Sequence, residues 1–324
     1  MPTPSPEGSP PTVAAAPAPP RRRWRPSKTL LRILAIVVVI AVLAAAGVLL
    51  WQQYSRRNNP VVAFEDALRN SLQTEQVASD LKAPTQSTSA SLSLADAENP
   101  AVSTKSTIEN GATRYDLAGY GDLKNTYVSY SNLPATTPKN VANIAEGAWV
   151  HVRSKGLQPP NVPPQVDQAA DPTFYAFGQV LFATLSQKTQ DELVSFIQKN
   201  KVYGFDEKQV TKTTVDDQKV FVYPVKLNIG YLKVAAQSAA TNEKIPVERL
   251  AGAMAALDPL KGAAAKIYVS TKDHRIVRFD TIKDGKTTVT TYRYSGVSLP
   301  AEPPTKLSWQ AFAPLQLQIA AVKQ

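Results

Sequence analysis

Histidine and cysteine, two side chains that often perform acid–base or metal chemistry, are scarce or lacking in this sequence of 324 residues. The two histidines are His151, in GAWVHVRSK, and His274, in a Lys-Asp-His turn, and neither has a second histidine at metal-binding spacing. The lack of cysteine excludes disulfides, thiolate metal sites, a cysteine nucleophile and an acylated cysteine anchor. We therefore expect neither a metal site nor a cofactor.

The motifs that position catalytic groups are missing from the sequence. It contains no Gly-x-Ser-x-Gly elbow, no phosphate-binding loop, no Gly-x-Gly-x-x-Gly fingerprint and no Ser-x-x-Lys with a Lys-Thr-Gly partner. Missing motifs do not exclude an enzyme, but they favour a protein that binds a partner without reacting with it. We predict that the protein is not an enzyme.

A long apolar run near the N-terminus predicts a membrane-spanning helix. Residues 33–50 are all apolar or small, and as a helix they would cover about 27 Å, close to the thickness of a bilayer's hydrocarbon core. We assign residues 29–51 to a signal-anchor helix that contacts the lipid bilayer. Cleavage after the alanines at 44–46 is the alternative, although it would leave an apolar N-terminus on the exported domain.

The flanks of this run predict its orientation. Six basic residues precede it and two follow it, which keeps the N-terminus in the cytoplasm and places the rest of the chain outside the cytoplasmic membrane. Trp51 and Tyr54 would lie at the outer headgroup level. Residues 52–59 form a short linker to the exported domain.

The net charge of +10 is concentrated around the anchor. Residues 1–57 hold eight Lys/Arg and one Asp/Glu (net +7), so only +3 belongs to residues 58–324, where acids and bases are interspersed. The basic balance therefore reflects membrane insertion, and we expect no nucleic-acid partner.

The first twenty residues contain eight prolines, which predict a disordered cytoplasmic tail at residues 1–28. This tail would be either a spacer or an SH3-type ligand.

The rest of the chain predicts one α+β domain over residues 60–303. Asn59 and Pro60 start a helix with Val61, Phe64, Leu68 and Leu72 on one face. Alternating segments then predict an antiparallel meander: STSASLSLA, AVSTKSTIE, ATRYDLAGY, NTYVSYS and GAWVHVRSK. Later segments predict a hairpin, QVTKTTV with KVFVYPVKLN, and a closing meander of KIYVST, HRIVRFDTIK and KTTVTTYRYSG.

Helices separate these strands. Residues 156–168, with four prolines, are expected to form a loop. A helix is then expected from Asp171-Pro172, with Phe174, Phe177, Leu181 and Leu185 on one face. A second helix is expected from a capping box at Thr189 and Glu192, and an Ala-rich helical region over residues 230–260, with Pro246 as a helix start.

The last residues, 304–324, form an apolar tail without an acidic residue. Pro314 argues against one continuous helix, and Leu315, Leu317 and Ile319 alternate. We expect a short edge strand after Pro314; a lid over the sheet and a surface-seeking peptide are the alternatives.

The order of these elements resembles the LolA and LppX/LprG-type fold over about residues 60–303. The segment KVFVYPVKLNIGYLKVA and the ending KIYVSTKDHRIVRFDTIKDGKTTVTTYRYSGVSLPAEPP carry the resemblance. It implies a curved antiparallel sheet, an incomplete barrel, with helices on its concave face and a cavity that takes acyl chains. The sequence departs from the lipoprotein members by lacking the acylated cysteine, which argues against a diffusible shuttle.

The resemblance implies a ligand site between the sheet and the helices. Seven residues are candidates to line it: Trp149, Phe174, Phe177, Leu181, Phe182, Phe196 and Ile197. The expected function is a membrane-tethered, extracytoplasmic, non-enzymatic domain that binds a lipid or another hydrophobic ligand. The alternative is a cell-envelope structural or interaction module, in which the same residues form a filled core and the partner is another envelope protein.

Overall fold

The computed structural model describes residues 58–96, 98–110, 113–153, 162–297, 302–304 and 307–321, with helical residues 42, 43, 45, 46, 48, 51 and 55. The chain divides into two units, residues 1–53 and 54–324. In the first unit, the predicted tail at 1–28 and most of the predicted anchor at 29–51 lie outside the described residues. Among the residues described, no helix is both long and apolar enough to cross a membrane.

The second unit contains a large, curved and unclosed sheet, as the resemblance implied. Along the sheet the strands follow the order β13-β6-β5-β4-β3-β2-β1-β12-β11-β10-β9-β7, and β8 pairs with β9. The pairs are antiparallel except β13 with β6. The strands are β1 Gln76–Ala83, β2 Gln86–Ser93, β3 Ala101–Asn110, β4 Thr113–Gly121, β5 Thr126–Ser131, β6 Trp149–Arg153, β7 Tyr203–Gly204, β8 Thr211–Val215, β9 Gln218–Leu227, β10 Ala264–Ser270, β11 Ile276–Lys283, β12 Lys286–Arg293 and β13 Leu307–Ser308.

Helices connect the strand groups. They are α1 Pro60–Ser71, α2 Lys139–Ala145, α3 Pro164–Ala169, α4 Pro172–Ala176, α5 Gln187–Lys199, α6 Ile229–Asn242, α7 Ala251–Leu257 and α8 Trp309–Ala321. Short 3-10 turns occur at Glu207–Gln209, Val247–Leu250 and Asp258–Leu260.

The start of α1 follows the predicted capping pattern. The Asn59 side chain accepts a hydrogen bond from the Val61 N–H at 2.9 Å, and Pro60 occupies the first helical position, where its missing N–H costs nothing. Phe64, Leu68 and Leu72 are buried against the sheet. Burial of this stripe holds α1 in the main core.

The strands of the predicted meanders and of the predicted hairpin form, whereas β1 and the two-residue strands β7 and β13 were missed. β1, with the sequence QVASDLKA, pairs with β2 on one side and with β12 on the other, so it joins the first meander to the last. Its central residues Ser79 and Asp80 weaken the apolar alternation that identifies a strand. The turn Asp284-Gly285 has positive φ at both residues, as its type I′ prediction requires.

The helix predicted from Asp171-Pro172 ends early. α4 stops at Ala176, and Leu181 and Leu185 lie in a non-helical segment, residues 177–186. The N–H groups of Ala183 and Leu185 donate to the carbonyls of Ser71 and Leu72, at 3.2 and 3.0 Å. The prediction was wrong because these backbone groups find partners at the end of α1 instead of within their own helix.

Two further boundaries differ from the prediction. α5 begins at Gln187 with Ser186 at its N-cap position, so Thr189 and Glu192 lie inside the helix and do not cap it. The expected loop at 156–168 ends in the short helix α3, which uses Pro164 at its first position. Residues 154–161 are outside the described part of the chain.

The C-terminal tail is helical, and the predicted strand after Pro314 is wrong. α8 contains Pro314 on its exposed side, while Trp309, Phe312, Gln316 and Ile319 are buried at helical spacing. Proline removes one donor and one helix hydrogen bond, and burial of this face outweighs that loss. The strand that does form, β13, precedes α8 and pairs with β6.

The apolar interior forms two large clusters. The main cluster lies between the sheet and α1, α5, α6 and the segment 177–186. The second cluster lies at the β4–β6 end of the sheet, where α2, α3 and α8 cover Leu117, Val128 and Val150.

Candidate functional site

A cavity of about 190 Å³ lies between the centre of the sheet and the helices α3, α4 and α7. The sheet contributes residues of β12, β1, β2, β3 and β4, and the segment after α4 adds Gly178, Gln179 and Val180. The resemblance to the LolA and LppX/LprG-type fold implied a ligand site in such a position, between a curved sheet and helices.

The side chains on the sheet change character along the strands. Towards one end the inward positions are apolar, with Val77, Leu92 and Val102 in the main cluster. The same face of these strands carries the polar residues Ser79, Thr88 and Ser106, which lie two to four residues from the apolar ones and line the cavity. These side chains are smaller than the apolar residues before them, so they leave space beneath the helices.

Two buried hydroxyls of this wall, those of Thr88 and Ser106, are hydrogen-bonded. Thr88 Oγ1 and Ser106 Oγ lie 2.9 Å apart on neighbouring strands, and Gln86 Nε2 donates to Thr88 Oγ1 at 2.9 Å. Because these groups satisfy one another, the cavity can remain free of bound water without a large desolvation cost.

Two glycines position one end of the opposite wall. A Cβ atom on Gly119 would lie 2.6 Å from the Ala169 carbonyl oxygen, and one on Gly121 would lie 2.0 Å from the Ala170 carbonyl oxygen. β4 therefore allows the end of α3 to approach the sheet only because it lacks these side chains. The Thr104 hydroxyl donates to the Ala169 carbonyl and fixes this approach.

The helical wall is mainly apolar. Its side chains include Phe174, Tyr175, Val180 and Leu257, and Leu81, Ile108 and Leu117 add apolar surface from the sheet. Phe174 and Tyr175 pack edge to face with ring centroids 5.2 Å apart.

The described residues that line the cavity include no Asp, Glu, Lys, Arg or His. Its ionisable groups are Tyr175 and Tyr292, and burial raises the pKa of both phenols, which keeps them neutral. A neutral lining offers no group for general acid–base catalysis near pH 7 and no partner for a charged ligand. It suits the uncharged part of a ligand.

The seven residues predicted to line the site are not brought together around this cavity. Phe174 lines it. Phe177, Leu181, Phe182 and Ile197 are buried in the main cluster, and Phe182 packs on Tyr292 with ring centroids 5.2 Å apart. Phe182 therefore contacts Tyr292, which lines the cavity, but is not part of the lining itself.

The other two predicted residues lie elsewhere. Trp149 is half-buried on β6, across from Ser129. Phe196 is half-buried on α5 and packs edge to face on Tyr231 of α6 at 6.0 Å. Ligand contact by any of the seven remains a prediction.

Sequence reasoning missed the residues of the sheet wall. A signal for them was present in the sequence. Every second residue of these strands points inward, and some of these inward positions hold serine or threonine where a packed core would hold valine or leucine. On β2, Thr88 precedes Ala90 and Leu92, and on β3, Thr104 and Ser106 follow Val102. The prediction considered mainly aromatic and large apolar side chains as lining residues, so it omitted these small polar ones.

Neither histidine belongs to the cavity. His274 Nδ1 lies 2.8 Å from Asp66 Oδ2, which connects the β10–β11 turn to α1. The His151 ring stacks on Tyr127 with centroids 4.7 Å apart. Within the described part of the chain, no three His, Cys, Asp or Glu side chains cluster as a metal site would require.

The geometry defines a class of protein, an open half-barrel of β-strands with helices over its concave face and a neutral cavity between them. No protein-family model matches the sequence, and no curated protein matches it. Among solved structures, the chain is similar to LprF from Mycobacterium bovis, with a TM-score of 0.42, 10% identity and coverage of 75% of this chain and 96% of that one.

The chain is also similar to two further solved structures. The Mycobacterium tuberculosis lipoprotein LppX gives a TM-score of 0.37 and 9% identity over 75% of this chain and all (100%) of that one. A LolA-superfamily protein from Nitrosomonas europaea gives 0.22 and 14% over 74% and 93%. The chain's own curved and unclosed antiparallel sheet with helices agrees with the fold that the resemblance implied. At these scores and identities the comparisons identify neither a ligand nor an activity.

Proposed function

We propose that the chain is a membrane-tethered, extracytoplasmic, non-enzymatic domain that binds a lipid or another hydrophobic ligand between its sheet and its helices. The observation that carries this proposal is the cavity whose described lining has no charged side chain and whose buried Thr88 and Ser106 hydroxyls hydrogen-bond to each other. Such a lining favours hydrocarbon over water and over ions.

The volume of the cavity limits what it holds in this structure. About 190 Å³ is slightly more than the roughly 150 Å³ of a dry engineered cavity that admits benzene, and less than the roughly 300 Å³ at which drug-sized pockets begin. One short apolar segment would fit. A longer chain would require α3, α4 and α7 to move away from the sheet, and these helices have six, five and seven residues.

The tether is the helix at residues 29–51, and the sequence supports it through the length of the apolar run and its basic flank. A tethered binding domain would hold its ligand close to the membrane and would not carry it across a wide compartment.

A pair of substitutions tests the cavity in residues 54–324 purified without detergent. Ala256 lines the cavity from α7, so Ala256→Phe should fill it. Leu181 is buried in the core outside the cavity lining, so Leu181→Trp is the matched overpacking control. We expect Ala256→Phe to abolish binding of the neutral single-chain probe monooctanoylglycerol and to change the free energy of unfolding by less than about 1 kcal/mol.

The control should behave in the opposite way. Leu181→Trp should cost about 1 to 3 kcal/mol because it forces rotamers and backbone to shift, and the folded fraction should still bind the probe. Calorimetric titration and urea unfolding give the two readings. A wild-type domain that binds no probe and yields no lipid on extraction would reject the proposal and favour the alternative, an envelope interaction module with a filled core.

A further inference from the structure

A second, larger groove lies at another part of the domain, and its lining is charged. It has a volume of about 890 Å³ and is bordered by β7, the end of β9, the start of α6 and the 3-10 turn Asp258–Leu260. Its lining shares no residue with that of the neutral cavity. A function here would therefore be separate from the proposed hydrophobic binding.

Lysines dominate the charge of this groove. Four of them, Lys201, Lys226, Lys233 and Lys261, line it together with two aspartates, Asp206 and Asp258, for a net charge of +2.

The two aspartates already have partners. Asp258 pairs with Lys233 at 2.8 Å, and the Asp206 carboxylate accepts the backbone N–H of Lys208 at 3.0 Å. The other three lysines are exposed and form no ion pair with the described residues. The groove thus has more positive charge than its own acids neutralise.

The surrounding elements add to this charge and shape the groove. α6 begins in the groove, and its first turn holds no acidic residue to offset the positive end of the helix. Phe205, Leu227 and Ile229 provide apolar surface between the lysines. Lysine ammonium groups bind phosphate oxygens as mobile point charges, and clustering them in a concave surface strengthens the local potential.

We propose that this basic groove binds a phosphate group, held by Lys201, Lys226 and Lys261. The phosphate belongs either to a soluble anion or to the headgroup of an anionic lipid, and the two sources offer the same chemistry to the lysines. The proposal does not depend on the neutral cavity, since the two linings are distinct.

Hydrogen exchange on the full chain in a nonionic detergent tests the groove directly. One arm adds millimolar inorganic phosphate; the other adds phosphatidylglycerol to the micelles, with phosphatidylcholine as its zwitterionic reference. We expect amide exchange in peptides covering residues 201–206 and 226–233 to slow at least twofold in one arm or both. Higher salt should reverse the slowing, because the lysines are exposed.

Charge-matched variants separate a site from general attraction. Lys226→Gln with Lys261→Gln should remove the slowing, while Lys272→Gln with Lys286→Gln, exposed lysines outside the groove, should retain it. Slowing by phosphate alone supports a soluble anion, and slowing by phosphatidylglycerol alone supports a lipid headgroup. No slowing in either arm, or equal loss in both double variants, would overturn the proposal.

Discussion

Small hydroxyl side chains set the position of the neutral cavity. On the inward face of β2 and β3, Thr88 and Ser106 are buried, at 6% and 2% exposure, whereas Leu92 and Val102, four residues away on the same strands, are apolar. Burying an unpaired hydroxyl is costly, but these two hydroxyls pair with each other across the strands. The sheet can therefore carry polar residues inside and still leave a space that favours hydrocarbon.

A buried carboxyl lies at the opposite end of α6 from the basic groove. Glu243 is 4% exposed, and its carboxylate accepts the backbone N–H of Thr184 at 2.7 Å. Burial raises the pKa of Glu243 to about 7, and the hydrogen bond from Thr184 lowers it by less. The carboxyl holds the segment 177–186 against the end of α6.

This raised pKa predicts a pH-dependent stability. Between the unfolded value of 4.5 and about 7 the folded state binds more protons than the unfolded state, so the free energy of unfolding should fall as the pH rises through this window. Glu243→Gln retains an oxygen for Thr184 but cannot ionise. Relative to this variant, the wild-type domain should lose on the order of 2 kcal/mol between pH 4.5 and pH 7.5.

Urea unfolding of residues 54–324 at the two pH values measures this loss. Glu248→Gln, on the exposed 3-10 turn Val247–Leu250, is the matched control and should keep the wild-type pH dependence. Parallel curves for the wild type and Glu243→Gln would show that Glu243 does not titrate in this range.

At the scale of elements, alternation of period two was the most informative signal in the sequence. β2 to β6 and β8 to β12 were predicted because their apolar and polar residues alternate between turn residues such as Asp216-Asp217 and Asp284-Gly285. β1 was missed, since Ser79 and Asp80 interrupt its pattern, and tertiary pairing with β12 compensates for that weak local signal.

Long-range partners explain the wrong helix predictions. Leu181 and Leu185 have helical spacing from Phe177, but the C-terminal carbonyls of α1 accept the neighbouring N–H groups. Those carbonyls have no hydrogen-bond partners within α1. The sequence around Leu181 gives no indication that they are close enough to accept its neighbours' N–H groups. The site was predicted only at the level of elements for the same reason, because aromatic spacing does not show which side chains pack solidly and which border a space.

The docked C-terminal helix gives a test at this scale. Phe312 is fully buried against Tyr130, with ring centroids 5.5 Å apart, and lies in the cluster at the β4–β6 end of the sheet. Phe312→Ala should lower the free energy of unfolding by about 3 to 5 kcal/mol, because it removes a buried ring and leaves a cavity.

Leu317 provides the control on the same helix. It is 66% exposed, so Leu317→Ala should change the free energy of unfolding by no more than about 0.5 kcal/mol. Chemical unfolding of both variants gives the comparison. Equal small effects would mean that α8 does not dock on the sheet in solution.

At the scale of the whole molecule, the neutral cavity and the basic groove lie at separate places in one domain. The neutral cavity suits hydrocarbon, and the basic groove suits phosphate. If the domain is tethered at residues 29–51, both would work close to a bilayer that contains both kinds of group. The membrane orientation therefore bears on both proposals.

The flanking charges predict this orientation. Arg21, Arg22, Arg23, Arg25, Lys28 and Arg32 precede the apolar run, and Arg56 and Arg57 follow it. Because basic flanks remain on the cytoplasmic side, protease added to bacterial spheroplasts that express the full chain should digest the domain and leave the N-terminal tail protected. Immunoblots with tags at the two termini measure both outcomes.

Two variants and one mass measurement make this test decisive. Replacing Arg21, Arg22, Arg23 and Arg25 with Gln reduces the leading charge from six to two, equal to the trailing charge, so a mixed orientation with partial protection of the domain is expected. Replacing Lys199, Lys201, Lys208 and Lys212 with Gln changes the net charge by the same amount at positions far in sequence from the apolar run. In this control variant the protease should still digest the domain completely. Protection of the C-terminus in the wild type would contradict the orientation, and a mature N-terminus at Gly47 would show a secreted protein without an anchor.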